Sequence, residues 1–416
     1  MTATLAVCAI CLLSIGGVIL RPWRMPEALW AIAGAAVLVS CGLMPIATAW
    51  HAVGKGSDVY LFLAGMMLLS ETARREGVFD WIAAAAVNRA RGSSARLFAL
   101  VFATGVIVTV FLSNDATAVV MTPAVYAAAR KGRADPLPLL FACALVANAA
   151  SFVLPISNPA NLVLYGGQMP SLGTWLAAFA LPSLAAIGVT FAMLGRAMRA
   201  RLAAPCDRDV PRAWLTSGGR IAMAGIALTA VLLLAVSTRG ASLGLPTCLA
   251  GMLAASAVCL IARRSPVRLV RAISWSVLPL VAGLFVLVEA LDRVGAVALV
   301  AQALAHAAAA DAGIASLAAG AILGVASNLL NNLPAGLIAA TAIQQAHSPT
   351  IVVDGLLIGV DLGPNLSITG SLATILWLQA IRREGQDVSF RDFLKVGLVT
   401  MPPALLAALL MRVSMP

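Results

Sequence analysis

The feature that most constrains this chain is a series of long apolar runs that contain almost no charged residues. Each run is about 20 residues or more, the length at which a helix crosses the hydrocarbon core of a bilayer. Hydrophobic residues make up 61% of the sequence and charged residues only 11%, against about 25% charged residues in soluble domains. We therefore predict an all-α polytopic membrane protein. The predicted full spans are 3–20, 26–46, 58–73, 137–165, 173–195, 220–237, 244–262, 272–290, 350–381 and 395–411.

Two further apolar stretches, 97–128 and 313–345, are interrupted midway by polar residues and proline. We predict re-entrant hairpins there, since non-helical backbone at membrane depth is tolerated only where protein or a watery cavity surrounds it. The distribution of basic residues supports these hairpins. With the N-terminus outside, all but four basic residues lie on the cytoplasmic side, and a full crossing by either stretch would destroy this bias. The four exceptions are Lys55, Arg239, Arg293 and Arg412.

The same positive-inside pattern accounts for the net charge of +11. The basic residues sit in short segments between apolar runs, as insertion topology requires, and nucleic acid is not an expected partner. The pattern predicts a multi-pass protein of the bacterial cytoplasmic (inner) membrane, with the lipid bilayer as its surroundings.

The chain also contains an internal repeat. Residues 64–77 match residues 282–295 at a constant offset of 218, which places Glu71 on Glu289. Each half then holds about five spans, one re-entrant hairpin and a broken helix, and an odd number of spans inverts the second half. Such inverted repeats are typical of secondary transporters. The predicted units are a first half (1–195), a cytoplasmic basic linker (196–220) and a second, inverted half (221–416).

Four polar interruptions lie at equivalent places in the two halves. Proline removes a backbone donor and breaks a helix, so half-helix ends should meet near the midplane and offer donors and acceptors. The alternative is that they are ordinary kinks with packed asparagines. The predicted substrate-binding residues are Ser113, Asn114, Thr117, Ser157, Asn158, Asn161, Asn331, Asn332, Asn365 and Ser367.

Two carboxylates, Asp115 and Asp361, stand at these interruptions. A carboxylate at membrane depth is costly and marks a functional site. We predict that Asp115 is the main proton-coupling residue and that Asp361 assists it. Either could instead bind a cation or cap a half-helix.

Other acidic residues are predicted to be structural. Glu71 and Glu289 each precede an arginine by four residues, Arg75 and Arg293, and should form pairs on one helix face. Asp58 and Asp354 lie near span ends, where we expect them to contact water.

No enzyme is expected. The chain has only three histidines and no HExxH motif, and its seven cysteines are scattered and odd in number. We therefore predict no catalytic residues, no metal and no cofactor.

The motifs at the interruptions resemble those of a known family. They are Phe111 to Ala118 followed by Thr122-Pro123, Asn331 to Pro334, Gly359 to Asn365, and Gly370 to Trp377. From about Asp58 onward the chain is similar to the arsenite-efflux permeases, the arsenical-pump membrane proteins of the ion transporter superfamily. The resemblance implies an antiporter that confers arsenical resistance by exporting arsenite or antimonite as protons enter. Because the superfamily also holds sodium/proton antiporters and organic-anion carriers, these stay open as alternatives. Some family members work with a soluble ATPase, so an ATPase partner stays open too, as does a homo-oligomer.

Overall fold

The structure, a computed structural model, describes residues 2–166, 168–207, 210 and 214–415, with the side chains of Thr2 and Arg24 left out. Across these residues the chain is helical and holds no strand, only one isolated bridge between Ser93 and Pro205. Within the described residues, seven helices are long and apolar enough to cross a membrane, or up to nine if each of two bent helix pairs is one span. The protein is therefore a polytopic membrane protein, as predicted.

The helices of the first part of the chain include two half-helices, α8 and α9, on either side of a break. They are α1 (Thr2–Leu20), α2 (Glu27–Ser40), α3 (Ile46–Lys55), α4 (Ser57–Arg75), α5 (Val78–Ala90), α6 (Ser94–Phe111), α7 (Thr122–Lys131), α8 (Pro136–Ala149), α9 (Pro159–Tyr165), α10 (Leu172–Ala197) and α11 (Arg199–Leu202). Short turns of other helical types are Pro22–Arg24, Ala116–Met121 (a π-helical turn) and Pro155–Ser157.

The helices of the second part follow the same order and include the half-helices α19 and α20. They are α12 (Ser217–Ser237), α13 (Gly244–Ile261), α14 (Pro266–Ala272), α15 (Val277–Arg293), α16 (Ala296–Ala310), α17 (Ala312–Leu330), α18 (Asn332–Ala346), α19 (Thr350–Leu362), α20 (Leu372–Arg383) and α21 (Phe390–Val413), with a 3₁₀ turn at Gly363–Leu366. Helices α5, α6 and α10 begin 218 residues before α16, α17 and α21, as Val78 and Ala296 illustrate.

The two hairpins open toward segments that the charge pattern assigns to opposite sides of the membrane. Near the ends of the α6–α7 hairpin, Ser94 donates to the carbonyl of Ala204 at 2.6 Å, in the predicted cytoplasmic linker. At the end of the α17–α18 hairpin, Gln345 donates to Asp292 at 2.5 Å, on the predicted outer side. This opposition is the inverted repeat that the odd number of spans predicts.

The halves interlock because helices of each pack on helices of the other. Helix α4 packs on α13 and α15 packs on α2. At the first crossing, Gly65 and Gly251 lie so close to the opposite backbone that neither position has room for a Cβ atom, and Gly283 is equally close to Ala31 at the second. Small residues that allow close backbone approach are a usual basis of helix association in membranes.

The structure also changes several predicted spans. Spans 137–165 and 350–381 are pairs of half-helices, which confirms the predicted broken helix in each half. The predicted span 26–46 is a shorter helix, α2, and the sequence missed α3, α5 and α16. Charged residues in or beside α3 and α5 hide these helices from a hydropathy reading, and α16 falls between two predicted spans. The boundaries of the two halves and the linker stay predictions, and Arg208 and Arg212 of the linker lie outside the described residues.

Candidate functional site

The two broken helices meet at their breaks and join the two halves of the chain. Asn158, which caps α9, donates from Nδ2 to Oδ1 of Asp361 at 2.8 Å. Asn148, at the end of α8, donates to Oδ1 of Asn365 at 3.0 Å. Asn365 in turn donates to the carbonyl of Leu145 at 2.9 Å. The Asn158, Asp361, Asn148 and Asn365 side chains are all buried, so this contact forms the polar centre of the protein.

The first break is shaped by two prolines, Pro155 and Pro159, which prevent α8 from continuing into α9. Ser157 accepts from the amide of Leu154 and donates to the carbonyl of Val110 at 3.1 Å, which ties the break to the first hairpin. The amide group of Asn161 binds freed carbonyls of the break, the nearest at 3.0 Å. Both predicted residues thus build the break.

The second break is organised by Asn328 on α17. Its Nδ2 donates to the carbonyl of Gly363 at 3.0 Å, and its Oδ1 accepts from the backbone amide and the hydroxyl of Ser367 at 3.0 and 2.8 Å. Sequence reasoning missed Asn328, because it stands within an apolar run without proline beside it. The available signal was that it lies only three residues before the polar pair Asn331-Asn332.

The tips of the two hairpins share an unusual backbone. Ser113 has φ 156° and Asn331, the residue 218 positions later, has φ 72°. Non-glycine residues with positive φ store strain and cluster at functional sites. The Ser113 hydroxyl accepts from the amide of Ala116 at 3.3 Å, and Asn331 Oδ1 accepts from the amide of Leu333 at 3.3 Å. Each therefore caps the second arm of its hairpin.

The other predicted hairpin residues divide into two groups. Asn332 donates its backbone amide to the carbonyl of Gly370 at 2.9 Å and so joins the second hairpin to the second break. Thr117 lies 2.8 Å from the hydroxyl of Thr109 within the first hairpin, and Asn114 accepts from the amide of its own neighbour. The contacts of Thr117 and Asn114 are thus local to the first hairpin.

Several buried oxygen atoms around the breaks have no hydrogen-bond partner among the described residues. They are Oδ2 of Asp361 and Oδ1 of Asn148, Asn161 and Asn332. Buried polar atoms are nearly always satisfied in folded proteins, and each exception calls for an explanation such as a bound group. All of these atoms are acceptors, and the cluster is therefore suited to a ligand that donates hydrogen bonds or carries positive charge.

The two predicted proton-coupling residues differ in environment. Asp361 is fully buried and has one oxygen bonded to Asn158 and the other free. Asp115 is half-buried, and its side chain makes no hydrogen bond within the described part of the chain. Among the described residues, Asp361 is hydrogen-bonded across the contact between the halves and Asp115 is not.

The prediction for Asp354 was wrong. It is buried, accepts from the hydroxyl of Tyr165 at 2.9 Å and pairs with Nε of Arg412 at 2.8 Å. It lies near the start of its helix, α19, but Tyr165 of α9 and Arg412 of α21 cover that end. Asp58 is half-buried and accepts from the amide of Gly244 at 2.8 Å.

Of the two predicted pairs within a helix, one is confirmed and one was wrong. Glu71 binds Arg75 at 2.7 Å and also Arg74. Glu289 instead binds Lys55 of the other half at 2.7 Å. Its predicted partner, four residues later, donates to Thr48. Packing of α15 against α3 provides the alternative partners.

A cavity of about 670 Å³ lies between the halves on the side of Lys55 and Glu289. Charged residues line it, together with Leu162 and Val163 of α9 and Leu337 of α18. Both helices begin at polar breaks. The cavity therefore lies beside the half-helix α9 and the hairpin arm α18, on the side that the charge pattern predicts to be outside.

Comparison with known proteins agrees with this architecture. An arsenical pump membrane protein of Escherichia coli is 25% identical over 434 residues, and the match covers 98% of each chain. A putative arsenical pump membrane protein of Bacillus subtilis (strain 168) is 24% identical over 94% of each chain. The crystal structure of the Alcanivorax borkumensis YdaH transporter, described as having an unusual topology, has a TM-score of 0.61 at 15% identity. It covers 99% of this chain and 97% of that one, and so shares the fold.

The arsenical pump relatives agree with the resemblance of the motifs at the breaks, and together with the family match they make the protein a secondary transporter, not an enzyme. A family model described as a citrate transporter matches residues 12–360, which is most of the sequence. The chain therefore belongs to the citrate transporter (CitMHS) family.

Proposed function

We propose that this protein exports arsenite and antimonite across the bacterial cytoplasmic membrane in exchange for protons. The observation that carries the proposal is the cluster of buried, unpartnered acceptor oxygens where the two breaks meet. Arsenous acid is neutral near pH 7 and presents hydroxyl groups that donate hydrogen bonds. A ligand of this kind would satisfy the acceptors without bringing a charge into the membrane.

The absence of cations supports a neutral substrate. Among the described residues, no arginine, lysine or histidine side chain hydrogen-bonds to any of the twelve predicted site residues. A carboxylate substrate would need such a group or would depend on half-helix dipoles alone. The names of the arsenical pump relatives point in the same direction.

For the coupling ion we propose Asp361 as the principal proton carrier and Asp115 as the second. This order reverses the one that the sequence favours. Asp361 is buried at the contact between halves, where protonation changes the hydrogen bond to Asn158. A residue in this position can link proton loading to movement of one half against the other.

Two other functions could use the same cluster of acceptor oxygens, and the test below must distinguish them from arsenite export. The family description as a citrate transporter favours an organic anion, and the acceptor oxygens would also suit sodium in a sodium/proton antiporter. Both alternatives differ from the proposal in the solute that is transported, which is an organic anion or sodium and not a neutral metalloid acid.

The test is expression in a bacterium that lacks arsenite efflux, followed by transport in everted vesicles. We expect resistance to arsenite and antimonite, and arsenite accumulation that depends on the proton gradient and needs no ATP. Accumulation that requires ATP would instead indicate a soluble ATPase partner. Citrate transport or sodium/proton exchange without arsenite transport, with the protein present in the membrane, would replace the proposal by the corresponding alternative.

A further inference from the structure

A second cavity, of about 490 Å³, lies on the cytoplasmic face, away from the polar breaks. One wall is the end of α4, and the other runs from the end of α13 through α14. The cavity therefore stands where helices of the two halves meet. Its charged lining residues are Arg75, Glu76, Arg263, Arg264 and Arg268.

The charges of this cavity do not cancel. The buried carboxylate of Glu76 binds Arg264 at 2.9 Å, and Arg75 is paired with Glu71 at 2.7 Å. Arg263 and Arg268 form no ion pair with any described residue. Two guanidinium groups are thus available to an anion, and the planar donor array of arginine matches phosphate oxygens well.

The surroundings of the cavity are apolar on one side. Val258 and Leu269 line it. Beside it, Leu260 is 78% exposed and Val267 is 56% exposed. In a membrane protein such side chains face lipid. Trp275, which donates to a backbone carbonyl of α14, is the kind of residue that marks the membrane–water interface.

We propose that this cavity binds the headgroup phosphate of an anionic phospholipid. Arg263 and Arg268 hold the phosphate, and the acyl chains lie along the apolar side chains of α13 and α14. Basic pockets on the cytoplasmic side of membrane proteins are suited to such headgroups. A free phosphate shares the headgroup chemistry but makes no use of the apolar side. The bound lipid touches α4 and α14 together, and its binding does not depend on which substrate is transported.

The test measures lipid binding by native mass spectrometry on the delipidated full-length protein in detergent. We expect phosphatidylglycerol to bind and phosphatidylcholine to bind much more weakly. Replacing both arginines (R263Q with R268Q) should weaken phosphatidylglycerol binding roughly 30-fold, since each basic residue contributes about 1 kcal/mol. The matched control is Arg271→Gln, because Arg271 is an exposed arginine of α14 that does not line the cavity. This variant should bind phosphatidylglycerol as the unmodified protein does.

Two results would overturn the proposal. One is unchanged phosphatidylglycerol binding in a folded double glutamine variant. The other is complete displacement of the lipid by millimolar inorganic phosphate, which would show a site for free anions. If the double variant does not fold, Arg268→Gln alone should still weaken binding roughly fivefold, and replacing both arginines by lysine should preserve most of it.

Discussion

Helix α19 carries two buried aspartates, Asp354 and Asp361, that differ in their partners. Asp354 is 1% exposed and is held by the guanidinium of Arg412 and the hydroxyl of Tyr165. Asp361, about two turns later, is 0% exposed and receives one hydrogen bond from the described residues, donated by the amide of Asn158. The same side chain on the same helix is thus compensated by a charge at one position and only by a neutral group at the other.

This difference separates a carboxylate held in an ion pair from one that has no cation beside it among the described residues. A buried ion pair holds its charge, because removing either partner leaves an uncompensated charge in a medium of low dielectric. A buried carboxylate without a cation can gain and lose a proton without breaking an ion pair. The pair at Asp354 therefore holds α19 to α21, while Asp361 has the surroundings that the proposed proton carrier requires.

The largest expected effect is on transport in Asp361→Asn. The amide preserves the shape of the side chain and can still accept a hydrogen bond from Asn158, but it cannot change its charge. We expect proton-driven accumulation of arsenite in everted vesicles to be abolished. The free energy of unfolding should change by roughly 1 kcal/mol or less. Asp354→Asn is the matched control on the same helix and should retain a transport response to the gradient. Normal gradient dependence in Asp361→Asn would place the proton carrier elsewhere.

Next in size is the effect of Arg412→Gln on stability. It removes the only described cation that pairs with Asp354 and should cost about 3–5 kcal/mol of folding stability, the usual effect of an unpaired buried charge. Thermal unfolding in detergent measures this loss. Combining it with Asp354→Asn should recover much of the stability, because the double variant leaves no buried charge. An equally unstable double variant would show that the ion pair is not the cause.

A smaller effect is expected for Asp115→Asn. This residue lies at the first hairpin break, is half-buried, and its side chain makes no hydrogen bond to the other half within the described residues. We expect gradient-driven arsenite transport to be reduced but still present, in contrast to Asp361→Asn. Initial rates measured side by side at equal protein levels make the comparison. If Asp115→Asn abolishes transport and Asp361→Asn does not, the order of the two carriers is reversed.

The smallest effect is expected at an ion pair near the outer surface. Lys55 is 49% exposed where it binds Glu289, and water screens such pairs. Replacing it by glutamine (K55Q) should change thermal stability by less than about 1 kcal/mol. A loss as large as that of Arg412→Gln would contradict the distinction between exposed and buried pairs.

Much of the architecture follows from the sequence alone. The apolar runs require membrane helices, the basic residues predict one orientation, and the offset of 218 predicts two equivalent halves. The polar residues with proline at 157–161 and 361–367 identify the breaks, since a proline or an unsatisfied carbonyl cannot lie in lipid without a structural reason. These are local or periodic signals, which a single sequence displays directly.

Only the tertiary structure decided which polar groups meet. Asn158 and Asp361 are far apart in sequence, and no spacing rule links Asp354 to Tyr165 and Arg412. Helix α9, the start of α19 and the end of α21 come together only when the halves interlock. This packing buries Asp354, which the sequence predicted to contact water, and places it in an ion pair with Arg412. Asn328 acquires its role in the same way, because its partners lie on the break that α17 packs against. Contacts between distant segments depend on how helices dock, and the apolar pattern that drives helices into the membrane does not specify that docking.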